Sequence, residues 1–263
     1  MSAPITLLCL PNAGGSSAMY QRWKRLLPDW ISVMPLELPG RGRRSSQALI
    51  CDYSAMVTRL CSEYLLLPQR AYALFGHSMG GLLAYGMAQR LRQLGESRAP
   101  RALLVSATAA PTRRGPLISN LDDESLIAEM RRQGGTPQEA FASTELMQMV
   151  LPLMRADYQV CASFRADAQN RPLDIPLHVF AGRADINTPR QMEAWRAETQ
   201  SAFSLDWFEG GHFYLRAERQ ERQLMCALER LLASIGHDQL FAPDTDRVER
   251  TGAAIALPGQ QVI

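Results

Sequence analysis

Residues 72–89 read YALFGHSMGGLLAYGMAQ, and this stretch decides the architecture of the chain. Its first part, residues 72–76, is apolar with no polar alternation, as expected of a strand buried on both faces of a sheet. Beyond Ser78 the apolar residues Leu83, Met87, Leu91 and Leu94 recur on one helical face, and Gly95 stops the pattern. Between strand and helix stand Gly76, His77, Ser78, Met79 and Gly80. Glycines on both sides of a serine pack poorly, but they suit a backbone forced through a turn with no room for a Cβ.

The same alternation continues outward from this junction. Strand-like apolar runs cover Ile5–Leu10 and residues 31–38, 102–107, 176–181 and 205–208. Between and around them lie helical patterns: one with Trp23, Leu26 and Leu27 on one side, one over residues 53–66, and a long closing one over 213–235. Strands alternating with helices predict a mainly parallel sheet covered on both faces. Residues 111–172 break the rhythm. LDDESLIAEMRRQGG starts acidic, ends basic and stops at paired glycines, which is a helix with charges matched to its dipole. ELMQMVLPLMRADY continues as helix, with Pro152 expected to end or kink it. Helices inserted between strands cannot join the sheet and are expected to cap one edge of it. Residues 1–236 thus read as one domain with a helical lid at 111–172, and residues 237–263 as a loosely ordered extension.

Bulk composition narrows the function classes. A chain of 263 residues with 46% hydrophobic and 21% charged content is an ordinary globular composition, long enough to bury a core without disulfides or metals. A net charge of +2 argues against a dedicated nucleic-acid binder. The N-terminus, MSAPITLLCLPNAGG, has no basic region ahead of its apolar run, and Pro11 breaks that run, so neither a signal peptide nor a membrane anchor is expected. The five cysteines, Cys9, Cys51, Cys61, Cys161 and Cys226, show no CxxC or zinc spacing and read as reduced, buried thiols of a cytoplasmic protein.

The chemistry follows from the junction. Gly-x-Ser-x-Gly between a buried strand and a helix is a nucleophile elbow, which lifts the serine hydroxyl clear of the sheet. A serine hydroxyl is a weak nucleophile until a base takes its proton. Of the four histidines, His77 adjoins Ser78 but points elsewhere in a turn, His178 sits inside a strand, and His237 opens the tail. His212, in FEGGHFYL, follows a strand and two glycines on a loop free to reach the sheet's edge, and is the best base. The carboxylate that orients it is expected at Asp185, where the loop GRADINTP leaves a strand; Asp167, Asp174 and Asp206 end no strand so clearly. The order Ser78, Asp185, His212 is that of the α/β-hydrolase fold. An oxyanion hole needs two backbone N–H groups, which Met79 and Ala13 of the loop PNAGGSS are placed to supply. As a phosphate cradle that loop is a weak candidate, because no Lys-Ser/Thr follows it as a P-loop requires.

Taken together, PNAGGSS, LELPGRGRR, GHSMGG, LDDESLIAEMRRQGGTP, LMRADY, GRAD and GGHF resemble the type II thioesterases of nonribosomal peptide and polyketide synthesis, from about Ile5 to Ile235. The resemblance implies a stand-alone α/β-hydrolase that removes stalled or wrong acyl groups from the phosphopantetheine arms of carrier proteins, with no metal or organic cofactor. It implies the triad Ser78, Asp185 and His212, oxyanion donors Ala13 and Met79, and a mobile lid between Pro111 and Pro172. One departure is Asn12, where the family has an aromatic residue or histidine; a change in the pocket wall is expected from it. Arg41, Arg43 and Arg44, with Arg113 and Arg114, are candidates for docking an acidic carrier protein, against the plainer reading of solvated loop arginines. Met147, Met149 and Met154 are candidates for an adaptable acyl pocket, against ordinary packing of the cap. A monomer with a transient carrier-protein partner, and with no nucleic-acid or membrane partner, is expected. An esterase or peptidase of the same fold is the rival enzyme, and a non-catalytic binding protein the rival of another class.

Overall fold

Six strands form one sheet in the order β2-β1-β3-β4-β5-β6, and every neighbouring pair is parallel. They are β1 (Ile5–Leu10), β2 (Ile31–Pro35), β3 (Tyr72–His77), β4 (Leu103–Ser106), β5 (Leu177–Gly182) and β6 (Phe203–Phe208). The computed structural model describes residues 3–64, 71–95, 99–115, 122–167 and 171–238, with side chains up to residue 235 in the last helix. Parallel neighbours need crossover connections. Here α1 (Trp23–Leu26), α2 (Tyr53–Tyr64) and α3 (Met79–Gln93) separate the first four strands, α6 (Pro189–Glu193) separates β5 from β6, and α7 (Glu218–Asp238) follows β6. Between β4 and β5 lie α4 (Asp123–Gln133) and α5 (Thr144–Ser163).

The unbroken apolar character of β3 and β4 has a simple cause, since both faces are covered. On one face Leu74 and Val105 pack with Met56 and Leu60 of α2 and Leu83 and Met87 of α3. On the other, Phe75 and Leu104 pack with Trp23 and with Leu224, Leu228 and Leu232 of α7. Alternate residues of one strand serve opposite faces, as the pleat requires. Each such side chain contributes about 1.5–3 kcal/mol by leaving water, so this double layer holds the sheet edge in place.

Boundaries differ from the sequence expectation where the backbone is diverted. β2 stops at Pro35 and does not reach residue 38, and β6 begins at Phe203, two residues early. The closing helix does not begin at Phe213. Tyr214–Arg216 is a single 3-10 turn, Ala217 is extended (φ −79°, ψ 130°), and α7 starts only at Glu218. α7 runs on to Asp238, so His237 lies in its last turn; the rest of the expected extension, residues 239–263, lies outside the described residues.

The insertion forms as its charges and caps dictate. The Asp122 side chain accepts from Ser125 N at the start of α4, and Gly134 closes it in the left-handed conformation. Pro152 does not end α5, which runs through it to Ser163. Its neighbours Leu151 and Met154 are held in a small core with Leu126, Met130, Met147 and Tyr158, and this packing keeps the helix together across the missing N–H. The far end of α5 is anchored to the body: Tyr53 N donates to Ser163 Oγ at 2.8 Å, and Phe164 meets the Tyr53 ring edge-on.

All five cysteines are free, but the expectation that they are buried holds only in part: Cys9 and Cys61 are buried, whereas Cys51 and Cys226 are exposed. Cys51 lies in the loop before α2, and Cys226 on the outward face of α7. Among the described residues, no helix is long and apolar enough to cross a membrane.

Candidate active site

β3 delivers Ser78 at its carboxyl end in a conformation few residues tolerate, φ 55° and ψ −119°. Such backbone costs about 1–3 kcal/mol and persists only where its surroundings enforce it. Here they do. Ser78 N donates to Ser106 O of β4 at 2.8 Å, and Gly81 N turns back to Ser78 O at 3.0 Å. A Cβ on Gly76 would run into the backbone of Gly80, and one on Gly80 would run into the Leu10 carbonyl of β1. The two glycines are there because the elbow folds against itself and against the neighbouring strand.

Two further loops converge on Ser78. His212, on the loop after β6, places Nε2 2.9 Å from Ser78 Oγ, and its Nδ1 lies 3.0 Å from Asp185 Oδ1 on the loop after β5. The side chains of His212 and Asp185 are 4% and 1% exposed. A carboxylate so far from water needs donors. Asn187 provides them, Nδ2 to Oδ2 at 3.3 Å and backbone N to Oδ1 at 3.4 Å. With the carboxylate accepting from Nδ1–H, the Nε2 lone pair faces the Ser78 hydroxyl, as general-base chemistry requires.

His77 and His178 are engaged elsewhere. His77 is buried, its Nδ1 2.9 Å from Ser106 Oγ, which in turn lies 2.8 Å from Tyr214 OH. Burial first, then the charge of His212, hold its pKa well below the usual value, so its ring stays neutral behind the site. His178 pairs with Ser204 Oγ at 2.7 Å within the sheet, and burial lowers its pKa as well. Of the rival carboxylates, Asp206 lies within β6 and Asp174 is exposed near Arg92.

Ser78, Met79, Ala13 and His212 form one wall of a cavity of about 130 Å³. The N–H groups of Ala13 and Met79 have no acceptor on the described chain; Met79 is the first residue of α3, where helical N–H groups are always left over. Asn12 is buried and does not line the cavity. Its Nδ2 donates to Ala13 O at 2.7 Å, so its effect falls on the loop's shape and the pocket wall is untouched.

The opposite wall comes from the insertion, and sequence reasoning missed it. Glu129, Arg132 and Gln133 of α4 and Tyr158 and Cys161 of α5 face Ser78 across the cavity. Arg132 grips Glu129 with two hydrogen bonds of 2.6 Å, while Gln133 Nε2 reaches Glu129 at 2.9 Å and Tyr158 OH at 2.7 Å. Burial alone would raise the Glu129 pKa, but the hydrogen bonds from Arg132 and Gln133 outweigh it and hold the group below its usual value. The available signal was the spacing E-x-x-R-Q, three polar side chains on one face of α4.

Several expected contact residues are placed elsewhere. Arg41 is buried, bonded through Nη1 and Nη2 to both oxygens of Asp157 on α5 at 2.7 Å, so it cannot dock a partner. Arg44 is half-buried and spends its guanidinium on Glu63, Gln47 and the Glu37 carbonyl. Arg43 is exposed. Arg114 belongs to the cavity wall, donating to Thr108 Oγ1 at 3.1 Å. Met147 and Met154 lie in the insertion's core and not in the cavity, and Met149 is 67% exposed. Apolar spacing along a helix reports a covered face without saying what covers it.

Comparison with known proteins agrees with this fold. Residues 5–232 match the thioesterase domain family. Similar proteins include one named linear gramicidin dehydrogenase LgrE, from Brevibacillus parabrevis, 35% identical over 88% of this chain and 89% of that protein. Among solved structures, the RedJ thioesterase of the prodiginine biosynthetic pathway in Streptomyces coelicolor gives a TM-score of 0.80 at 34% identity, over 87% of this chain and 90% of that one. The type II thioesterase BorB of the borrelidin biosynthetic cluster gives 0.78, also at 34%, over 88% and 95%. A family match along nearly the whole described body, on a parallel sheet whose elbow serine meets a histidine and a carboxylate, makes this chain a member of the thioesterase domain family with the α/β-hydrolase fold.

Proposed function

We propose that this thioesterase hydrolyses acyl or aminoacyl thioesters carried on the phosphopantetheine arms of carrier proteins, clearing stalled or wrong groups from a nonribosomal peptide or polyketide synthase. The observation that carries the reading is the hydrogen-bonded chain Ser78–His212–Asp185 opening on a cavity beneath α4 and α5. RedJ and BorB, similar in fold and sequence, are by name thioesterases of biosynthetic pathways, BorB a type II thioesterase, and this supports the reading.

The residues take the following roles. His212 Nε2 accepts the Ser78 proton as Oγ attacks the thioester carbonyl, and the N–H groups of Met79 and Ala13 receive the charge that develops on its oxygen. Asp185 keeps the imidazole in the right tautomer and stabilises its charged form. The carbon–sulfur bond then breaks, the pantetheine thiolate leaves and takes the proton from His212, and an acyl group remains on Ser78. A water deprotonated by the same histidine releases the free acid and restores the serine. Base, acid and oxyanion donors all come from the chain, so no step calls for a metal or an organic cofactor. The same reading has the enzyme act as a monomer in the cytoplasm, meeting its carrier protein transiently.

The name of the Brevibacillus relative describes a redox reaction, but no observation here favours one. The loop after β1, PNAGGSS, lacks the Gly-x-Gly-x-x-Gly spacing of a dinucleotide site. Its Ala13 lines the Ser78 cavity, and its Gly14 N–H binds Asp157.

Hydrolysis of acetyl, longer acyl and aminoacyl groups on a carrier protein, set against p-nitrophenyl esters of the same acids, tests the reading. The expected outcome is a kcat/KM at least tenfold higher on carrier-bound thioesters. Equal or better turnover of the esters would make this a carboxylesterase, and no turnover of either would make it a binding protein.

A further inference from the structure

The oxyanion loop is not held by its own strand alone. In the peptide unit joining Ala13 to Gly14, the carbonyl accepts from Asn12 Nδ2 at 2.7 Å and the N–H donates to Asp157 Oδ2 at 2.7 Å. Both edges of that peptide plane are therefore tied. The next two peptides are each tied at one edge, because Gly15 N donates to Asn12 O at 2.9 Å and Gly15 O accepts from Arg41 Nη1 at 3.1 Å. Gly14 sits at φ 71°, and a Cβ there would run into the Met154 sulfur, so α5 also presses directly on the loop.

Asp157 is fully buried, and its carboxylate accepts three hydrogen bonds, one from Gly14 and two from Arg41. It sits on α5, in the helical insertion, whereas Gly14 and Arg41 belong to loops of the sheet body. With the Ala13–Gly14 plane immobilised on both edges, the N–H of Ala13, one peptide earlier, has little freedom about its remaining dihedrals.

We propose that Asp157 and Arg41 are positioning residues for the oxyanion hole: the insertion helix α5 reaches into the body and fixes the loop that aims the Ala13 N–H at the carbonyl attacked by Ser78. This rests on the hydrolase reading of Ser78 but on no particular acyl group. The hole is complete only while α5 sits on the loop.

The test uses the full chain with Asp157→Asn, and with the double variant Arg41→Met/Asp157→Leu, which removes the tie without leaving a buried charge unpaired. Three quantities are measured against wild type. The first is kcat and KM on an acetyl N-acetylcysteamine thioester and on p-nitrophenyl acetate. The second is the affinity for a methyl trifluoromethyl ketone, in which Ser78 Oγ adds to the carbonyl carbon, the oxygen takes the negative charge and His212 keeps the proton. The third is the low-field proton resonance of the His212–Asp185 hydrogen bond. For the double variant kcat is expected to fall about ten- to a hundredfold on both substrates, somewhat less than the loss of an oxyanion donor itself. KM should stay within about twofold, ketone affinity should fall by the same factor as kcat, and the proton resonance should be unchanged. Asp157→Asn, which can still accept from Gly14, should lose less. An unchanged kcat in the folded double variant, a loss confined to KM, or a displaced resonance accompanying the loss would each overturn the proposal. If wild type prefers p-nitrophenyl esters to carrier-bound thioesters, the carrier-thioester reading fails while the ratio of variant to wild type still decides this one.

Discussion

The carboxyl edge of the sheet and the helical insertion face each other across one small cavity, and they are built differently. At the sheet edge Ser78, His212 and Asp185 come from three separate strand ends, meet at 2.9 and 3.0 Å, and follow strands of one six-stranded sheet, of which β5 is buried throughout and β3 from Ala73 onward. In the insertion, Glu129, Arg132, Gln133 and Tyr158 bond mainly to one another over a separate core of a few side chains, and Leu146 and Met149 are left in solvent. Chemistry that depends on geometry at the scale of a hydrogen bond is placed on the rigid, cooperative part. The wall facing the acyl group is placed on a helix pair with a small core of its own, tied to the body through α5. Asp157 is the point where the second part acts on the first.

That contrast can be broken at either side. The largest expected effect is at the sheet edge: Ser78→Ala should lower kcat on carrier-bound thioesters by about 10⁴-fold or more, with an unchanged circular dichroism spectrum. Retained turnover would remove Ser78 from the mechanism. Asp185→Asn should cost roughly 10³–10⁴-fold in kcat by leaving His212 in the wrong tautomer. A rate near wild type would assign the orienting role to another carboxylate.

Smaller effects sharpen the insertion side. Cys161 faces the cavity from α5, and burial pushes its thiol up to about 11. At pH 8 it should react with iodoacetamide about a hundredfold more slowly than the exposed Cys51, since only the thiolate reacts. Mass spectrometry of the modified chain checks this, and equal rates would mean that the insertion stands open in solution. Smallest of all, Arg43→Glu should raise KM for carrier-bound thioesters about two- to threefold and leave N-acetylcysteamine thioesters unaffected, because an exposed rim charge steers encounter more than it holds. Equal effects on both substrates would detach Arg43 from docking.

Much of the sheet edge was legible in advance. The strands from Tyr72 to His77 and from Leu103 to Ser106 announce themselves as apolar runs because both faces are covered, and Gly76 and Gly80 mark the elbow because the turn excludes a Cβ. His212 and Asp185 were found because each leaves a strand end on a loop. The insertion was legible as helices only. Arg41 looks like any loop arginine until Asp157, 116 positions away, is folded onto it. Met147 and Met154 look the same whether they line a cavity or fill a core.

Sequence alone determined what local spacing encodes: the order of strands and helices, the constrained serine, and the histidine and carboxylate placed to serve it. Tertiary structure decided which face of α4 looks at Ser78, that Arg41 is a buried ion-pair partner and not a docking residue, and that Asn12 and Asp157 together hold the Ala13–Gly14 peptide. The physical reason is one of range. Periodicity and turn sterics act between residues a few positions apart and leave a mark along the chain, whereas a buried hydrogen bond is defined by two groups that only folding brings within 3 Å of each other.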